Sequence, residues 1–195
     1  MPIRPQQPPE KSLQALRDAA RKVPRTYEHV AAMIRTIVAH PERAWPHPVY
    51  IAGLRDMAAA HGLRRAEMTG WRYLARSGSD RNYAIEVQCS EDGNTHQVSE
   101  VDKGPYIDGI WKVLEDKTLA RRIGAVTVWP AVLRINALKI LAVWLQAHDR
   151  AQDLLIPIPP TPSFLKPFQV CSRKEFQEVV REEAGELLAH DSLDA

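Results

Sequence analysis

Leu138-Lys139-Ile140-Leu141-Ala142-Val143-Trp144-Leu145 is followed, past Gln146-Ala147, by His148-Asp149-Arg150-Ala151-Gln152-Asp153 and then by Leu154-Leu155-Ile156-Pro157-Ile158. Two apolar runs of strand length joined by a short polar loop predict neighbouring antiparallel strands, buried on both faces. The rest of the chain must then cover them. A helix over residues 136–147 is the alternative, because Leu138, Leu141, Ala142 and Leu145 also fall at helical spacing. The strand reading is preferred, since the β-rich runs on either side need a partner. On that register Trp144 shares a face with Leu138, Ile140 and Ala142, and the opposite face is apolar too.

Working outward, Val126 to Ile135 is rich in β-formers but carries Pro130. A proline cannot donate to a ladder, so this piece is expected at a sheet edge or at a bulge. Further upstream Trp71 to Arg76, Asn82 to Cys89 and Thr95 to Val101 read as a three-stranded meander. Ser77-Gly78-Ser79-Asp80 and Ser90-Glu91-Asp92-Gly93-Asn94 supply its turns. Alternation points Tyr83, Ile85 and Val87 to the core, and Ala84, Glu86 and Gln88 outward. Gly104-Pro105 ends the meander and opens a helix with Ile107, Ile110, Trp111 and Leu114 on one side.

Downstream, Pro157, Pro159, Pro160 and Pro162 stop any ladder. Ser172, with Glu175 three residues on, forms a capping box for a last helix that buries Phe176, Val179, Val180, Leu187 and Leu188. At the other end residues 1–9 are rich in Pro and Gln and read as a disordered or extended tail. A first helix starts near Pro9 with Leu13, Leu16 and Ala20 on one face. A second starts after Thr26 and carries the stripe Val30, Met33, Ile34, Ile37 and Val38, stopping near His40-Pro41. A third is expected from Pro48 to His61, with Gly62 as its left-handed end and Leu63 as the contact beyond it.

The order ααα-βββ-α-βββ-α predicts an α+β fold: an antiparallel sheet covered by helices, with an N-terminal helical layer. The expected division is a tail over 1–9 and one domain over 10–195, with helices in 10–63 and the sheet and its covering helices in 64–195. From the third helix onward this element order resembles the secretion-chaperone-like fold. The resemblance rests on element order alone, without a motif.

The 195 residues carry a formal net charge of +2. That is too small to argue for nucleic acid or for an anionic membrane surface. The charge is uneven: residues 1–62 hold nine Lys/Arg against five Asp/Glu, and Arg173 to the end holds three against seven. Solvated helix faces account for both biases. Two cysteines, Cys89 and Cys171, are no disulfide framework. No apolar run is long enough for a membrane span, and Met1 to Pro9 lacks the apolar centre of a secretory signal. A cytoplasmic protein with reduced thiols is expected.

No catalytic motif stands out. The seven histidines form no His-x-x-x-His pair and the cysteines no Cys-x-x-Cys. Gly-x-Ser-x-Gly, Gly-x-Gly-x-x-Gly and Gly-Lys-Ser/Thr are all missing. A hairpin turn centred on Asp92-Gly93 would pair residues summing to about 185, which sets Cys89 against His96. A thiol beside an imidazole is the minimum for a cysteine nucleophile, so Cys89 and His96 are the candidate catalytic pair; with Asp92 they are also the best local trio for a metal, although no metal is expected. The plainer reading is a polar turn beside a half-buried cysteine. Glu86, Glu100 and Asp102 read as outward strand residues.

His61 to Glu67, with Arg64 and Arg65, mimics the turn of a winged helix. Its recognition helix would have to run over 65–76, through Gly70 and Trp71-Arg72-Tyr73, and its wing would carry Glu91 and Asp92 toward phosphate. Trp45-Pro46 and Trp129-Pro130 place two aromatics beside rigid turns, which makes Trp45 and Trp129 candidate partner contacts. The expectation is a non-enzymatic protein- or ligand-binding module without metal or cofactor. A small enzyme with its site between the N-terminal helices and the sheet is the alternative, and winged-helix DNA binding comes third.

Overall fold

A computed structural model describes residues 2–60, 62–77 and 81–191. The expected helix end at His61 and the expected turn residues Gly78-Ser79-Asp80 lie outside them. Among the described residues the chain forms, in order, α1 (Glu10–Lys22), α2 (Glu28–Ala39), β1 (His47–Ile51), α3 (Leu54–Ala58), β2 (Glu67–Ser77), β3 (Arg81–Cys89), β4 (His96–Asp102), α4 (Pro105–Leu114), α5 (Lys117–Ile123), β5 (Val128–Ile135), β6 (Ile140–Ala147), β7 (Leu154–Pro157), β8 (Cys171–Ser172) and α6 (Arg173–Asp191). The eight strands make one mixed sheet in the order β4-β3-β2-β1-β5-β6-β7-β8. Among the described strands only β1 and β5 pair in parallel. This is an α+β fold with an N-terminal helical layer.

The two apolar runs that frame the fold are β6 and β7, antiparallel neighbours with Val143 opposite Ile156 and Trp144 opposite Leu155. Every residue of β6 is buried. Helices cover both faces, so the strand needs no polar side. On one face α4 and α5 pack Ile107, Ile110, Leu114 and Leu119 over Val132, Val143 and Leu145. On the other face two helical blocks share the sheet. α1 and α2 set Leu16, Ile34 and Ile37 over Trp71, Tyr73, Ile85 and Val87 of the meander. α3 and α6 set Met57, Phe176 and Val180 over Leu133, Ala142, Trp144 and Leu155. The capping box is present: Ser172 N donates to Glu175 Oε2 at 2.7 Å, and Glu175 N donates to Ser172 Oγ at 3.2 Å.

Several expectations are corrected. The stretch from Pro48 is no helix: His47–Ile51 is a strand at the middle of the sheet, and only Leu54–Ala58 is helical. Gly62 is not a left-handed cap. A Cβ there would sit 2.5 Å from the backbone oxygen of Asp56, so glycine is required by close approach. The α5 helix was not expected, although Asp116 caps it by accepting from the amides of Thr118 and Leu119.

β5 is not an edge or a bulged strand; it lies between β1 and β6, with Pro130 opposite Leu145. The N and O of one strand residue point to the same side. Pro130 O accepts from Gln6 Nε2 at 3.2 Å, so the missing N–H also faces away from β6. No ladder bond is lost.

The first residues explain that neighbour. Ile3 forms a parallel bridge with Val128, with Val128 N donating to Pro2 O and Arg4 N to Val128 O, both at 2.9 Å. Gln6 N donates to Pro46 O at 3.1 Å. The segment is extended, as one of the two expectations had it, but it is docked as an arm between β5 and the approach to β1. Ile3 is only 2% exposed.

Glu86 is not an outward, solvated residue. α4 covers its face, and its carboxylate accepts from Arg72 Nη2 at 2.6 Å and from Arg134 Nη2 at 2.9 Å. Beside Arg72, His47 is fully buried and donates its Nδ1–H to Trp45 O at 2.6 Å. Burial above all, and then the Arg72 charge, lowers its pKa to about 3 against the backbone bond that favours the proton.

Candidate anion-binding site

Where the two helical blocks of the shared face part, over β1, β5 and β6, the sheet opens into a cleft. Its floor is Trp144 and Gln146 on β6 and Tyr50 on β1, around a cavity of about 360 Å³. Arg64, Arg150 and Arg173 stand around it. Among the described residues that line this cavity there is no acidic side chain.

Each arginine comes from a well-anchored position, two from short turns and one from the start of a helix. Arg64 follows Leu63, which is buried against α3 and α6. Arg150 opens the turn Arg150–Gln152, capped by Asp149, which accepts from Ala151 N at 3.0 Å. Arg173 is the first residue of α6, and its backbone N–H donates to Asp153 O at 3.1 Å.

Asp153 is the hub. It has no exposed surface. Its Oδ2 accepts from Trp144 Nε1 at 2.9 Å and its Oδ1 from Ala147 N at 2.8 Å. Arg150 and Arg173 reach the same carboxylate at 3.7 and 3.8 Å. Their guanidinium carbons lie 6.0 and 5.9 Å from the centre of the Trp144 ring, within cation–π range. Tyr50 closes the aromatic floor, 5.3 Å from Trp144 centre to centre. The Arg173 pKa is lowered, first by burial and then by the charges of Arg64 and Arg150, with Asp153 as the opposing influence. Two guanidiniums therefore share one buried carboxylate, and a third, Arg64, stands with them in the cavity wall. Such a wall favours an incoming anion, which arginine holds through paired N–H donors.

The cleft continues in both directions. Toward α6 it widens into a cavity of about 730 Å³ lined by Arg64, Arg150, Arg173, Lys174 and Arg181, with Asp149 and Glu178 as the acidic members. Toward the N-terminal arm it continues as a cavity of about 590 Å³ bounded by Gln6, Gln7, Trp129, Gln146 and His148. Arg150 lines all three.

The residues singled out in the sequence fare differently. Cys89 and His96 do face each other across β3 and β4, with Sγ 3.3 Å from Nδ1. Burial pushes the Cys89 thiol up, the opposite of what an activated thiolate needs. Asp92 is occupied within its own turn, where it accepts from Ser90 Oγ and from Asn94. Among the described residues no three His, Cys, Asp or Glu side chains gather as a metal site. Arg64 joins the cleft, whereas Arg65 turns to Asp56 at 3.2 Å. The winged-helix reading fails, because 67–77 is strand β2 and no recognition helix exists there. Trp129 is half-buried in the cleft, directly opposite Gln146. Trp45 packs against the α4 face, so the two tryptophans share no surface.

Tyr50, Gln146, Arg150, Asp153 and Arg173 were missed. Gln146 gave a signal: it is the one polar residue in the run Ile140 to Ala147, and a buried polar group wants a reason. A second polar cavity, about 310 Å³ and lined by Arg72, Asp102, Tyr106, Arg134 and Lys139, lies on the α4 face. There Glu86 already engages both arginines. Compared with known proteins, the chain matches no family model, no curated protein and no solved structure. Among the described residues no helix is long and apolar enough to cross a membrane.

Proposed function

We propose that this protein is a binding module for an organic anion bearing phosphate or carboxylate groups, held in the cleft over β1, β5 and β6. The observation that carries the reading is the gathering of Arg64, Arg150 and Arg173 around one cavity, with Asp153 as the buried carboxylate beside Arg150 and Arg173. The anionic group of the ligand meets the three guanidiniums, and its apolar part lies against Tyr50 and Trp144. A largely preformed concave site with a few convergent polar groups is the usual form of a small-molecule pocket. We place the protein in the cytoplasm, a setting in which its two unpaired thiols, Cys89 and Cys171, stay reduced.

Calorimetric titration with inorganic tripolyphosphate tests this. The expected result is saturable binding that weakens as salt rises. It should weaken by about tenfold or more, roughly 1.4 kcal/mol, in the variant Arg150→Gln/Arg173→Gln. Thermal unfolding of the variant controls for the fold. No binding by the wild type, or equal binding by the variant, would overturn the reading.

A further inference from the structure

We infer that the ligand is a nucleoside polyphosphate, with its base on Trp129 and its phosphates at the arginines; this rests on the anion site proposed above. Two cavities meet at Gln146 and Arg150, which line both of them. One side of that junction is the arginine wall. The other side has a different chemistry.

There the indole of Trp129 is half-exposed, and it stands opposite Gln146 in the β5–β6 register. Directly paired residues of antiparallel strands project on the same face, so the ring and the carboxamide are side by side. Gln6 adds a second carboxamide from the N-terminal arm, held in place by its bond to Pro130 O at 3.2 Å. A flat aromatic flanked by two groups that each donate and accept suits a planar heterocycle with a mixed donor and acceptor edge. Stacking on an aromatic side chain is the sequence-tolerant way proteins hold a base. Arg150 lies between the two halves and is placed to meet the first phosphate.

The cavity of about 590 Å³ beside Trp129 and that of about 360 Å³ beneath the arginines are both within the range of small-ligand pockets. A bare polyanion would use only the second. Trp129 and Gln6 are surplus to it.

The test compares ATP, GTP, CTP and UTP with inorganic tripolyphosphate by calorimetry, without divalent ions. At least one nucleotide should bind about tenfold or more tighter than tripolyphosphate, the increment that one stacked base supplies. Trp129→Ala should bring that nucleotide down to the tripolyphosphate level and leave tripolyphosphate binding as it was. Arg173→Gln should weaken both. Because Trp129→Ala can disturb the arm, Trp129→Phe serves as the second variant. It should keep the nucleotide affinity within a few-fold, since a phenyl ring still stacks. It should also lose the part of the nucleotide-induced fluorescence quenching that belongs to Trp129. Four nucleotides no tighter than tripolyphosphate, or a preference untouched by Trp129→Ala, would overturn the inference and leave the anion site standing. Failure of tripolyphosphate itself would overturn the anion site instead.

Discussion

The indole N–H of Trp144 donates to the carboxylate of Asp153 at 2.9 Å, inside the protein. Trp144 is 5% exposed and Asp153 not at all. The same carboxylate faces Arg150 and Arg173, so one buried group ties the core of the sheet to the wall of the cleft.

Asp153→Ala should therefore be severe. It strips the indole and the Ala147 amide of their acceptor and leaves the arginines without a nearby counter-charge. Removing one partner from a buried charged network costs about 3–5 kcal/mol. Asp153→Asn keeps one carbonyl acceptor and should cost less. Urea unfolding measures both, and a loss below about 1 kcal/mol for the alanine variant would show that the hub is dispensable.

Trp144→Ala should cost on the order of 3–5 kcal/mol, from lost transfer energy and the cavity left against Tyr50 and Leu155. Trp144→Phe keeps most of the packing but removes a donor from Asp153. A smaller loss of about 1–2 kcal/mol is expected by the same measurement, in the range of one buried hydrogen bond.

These two residues mark what could be read from the chain and what could not. The burial of Trp144 followed from an unbroken apolar run, which has one physical meaning whether or not its partners are known. The Cys89–His96 pairing followed from turn chemistry, which is local. Asp153 was only one of five polar residues in a six-residue loop, and its burial is set by Trp144 and Ala147 of β6 and by the start of α6, which arrives from well downstream in the chain. Likewise β1 was hidden because Pro48 suits a first helical turn and Ile51, Leu54, Met57 and Ala58 fit a helical stripe. What makes His47–Ile51 a strand is its place between β2 and β5, a relationship no local pattern carries. Glu86 was misjudged for the same reason: alternation says which residues share a face, not whether a helix lies on it. The arginines of the cleft come from two separate turns and a helix start, and had no spacing to betray them.

The N-terminal arm should not be dispensable. Deleting residues 1–8 exposes the β5 edge at Val128 and removes the buried Ile3. Loss of a buried Ile costs about 2–5 kcal/mol, so the Tm should fall by more than about 5 °C for a domain of this size. Ile3→Ala alone should give a large part of the drop. An unchanged Tm would show that the arm does not hold the fold.

Acid should weaken the protein through His47. The native ring is neutral, with its pKa lowered by burial to about 3 from 6.5, and the unfolded chain binds a proton near the ordinary value. Between those two values the unfolded state holds more protons, so stability falls as pH drops through the window. The His47 share is up to about 1.4 kcal/mol per pH unit. His47→Asn keeps a donor for Trp45 O and removes the titration. Urea midpoints from about pH 7 down to about pH 4.5 should fall more steeply in the wild type than in the variant. Parallel slopes would show that the ring takes up its proton without unfolding.

The docked arm also has a bearing on how the protein is made. Gln6 bonds to a residue 124 positions later in the chain. Synthesis delivers the N-terminus first, so the arm emerges long before β5 exists to receive it. Contacts of such sequence separation form late and slowly. The meander and its helices can assemble while the arm is still unpaired, whereas Gln6, Gln7 and the cavity they border take their places only after Pro130 has been added. The wall that Gln6 and Gln7 give this cavity is thus missing from any chain that stops short of β5, and a bulky tag fused ahead of the arm would burden the one segment that must still find its slot.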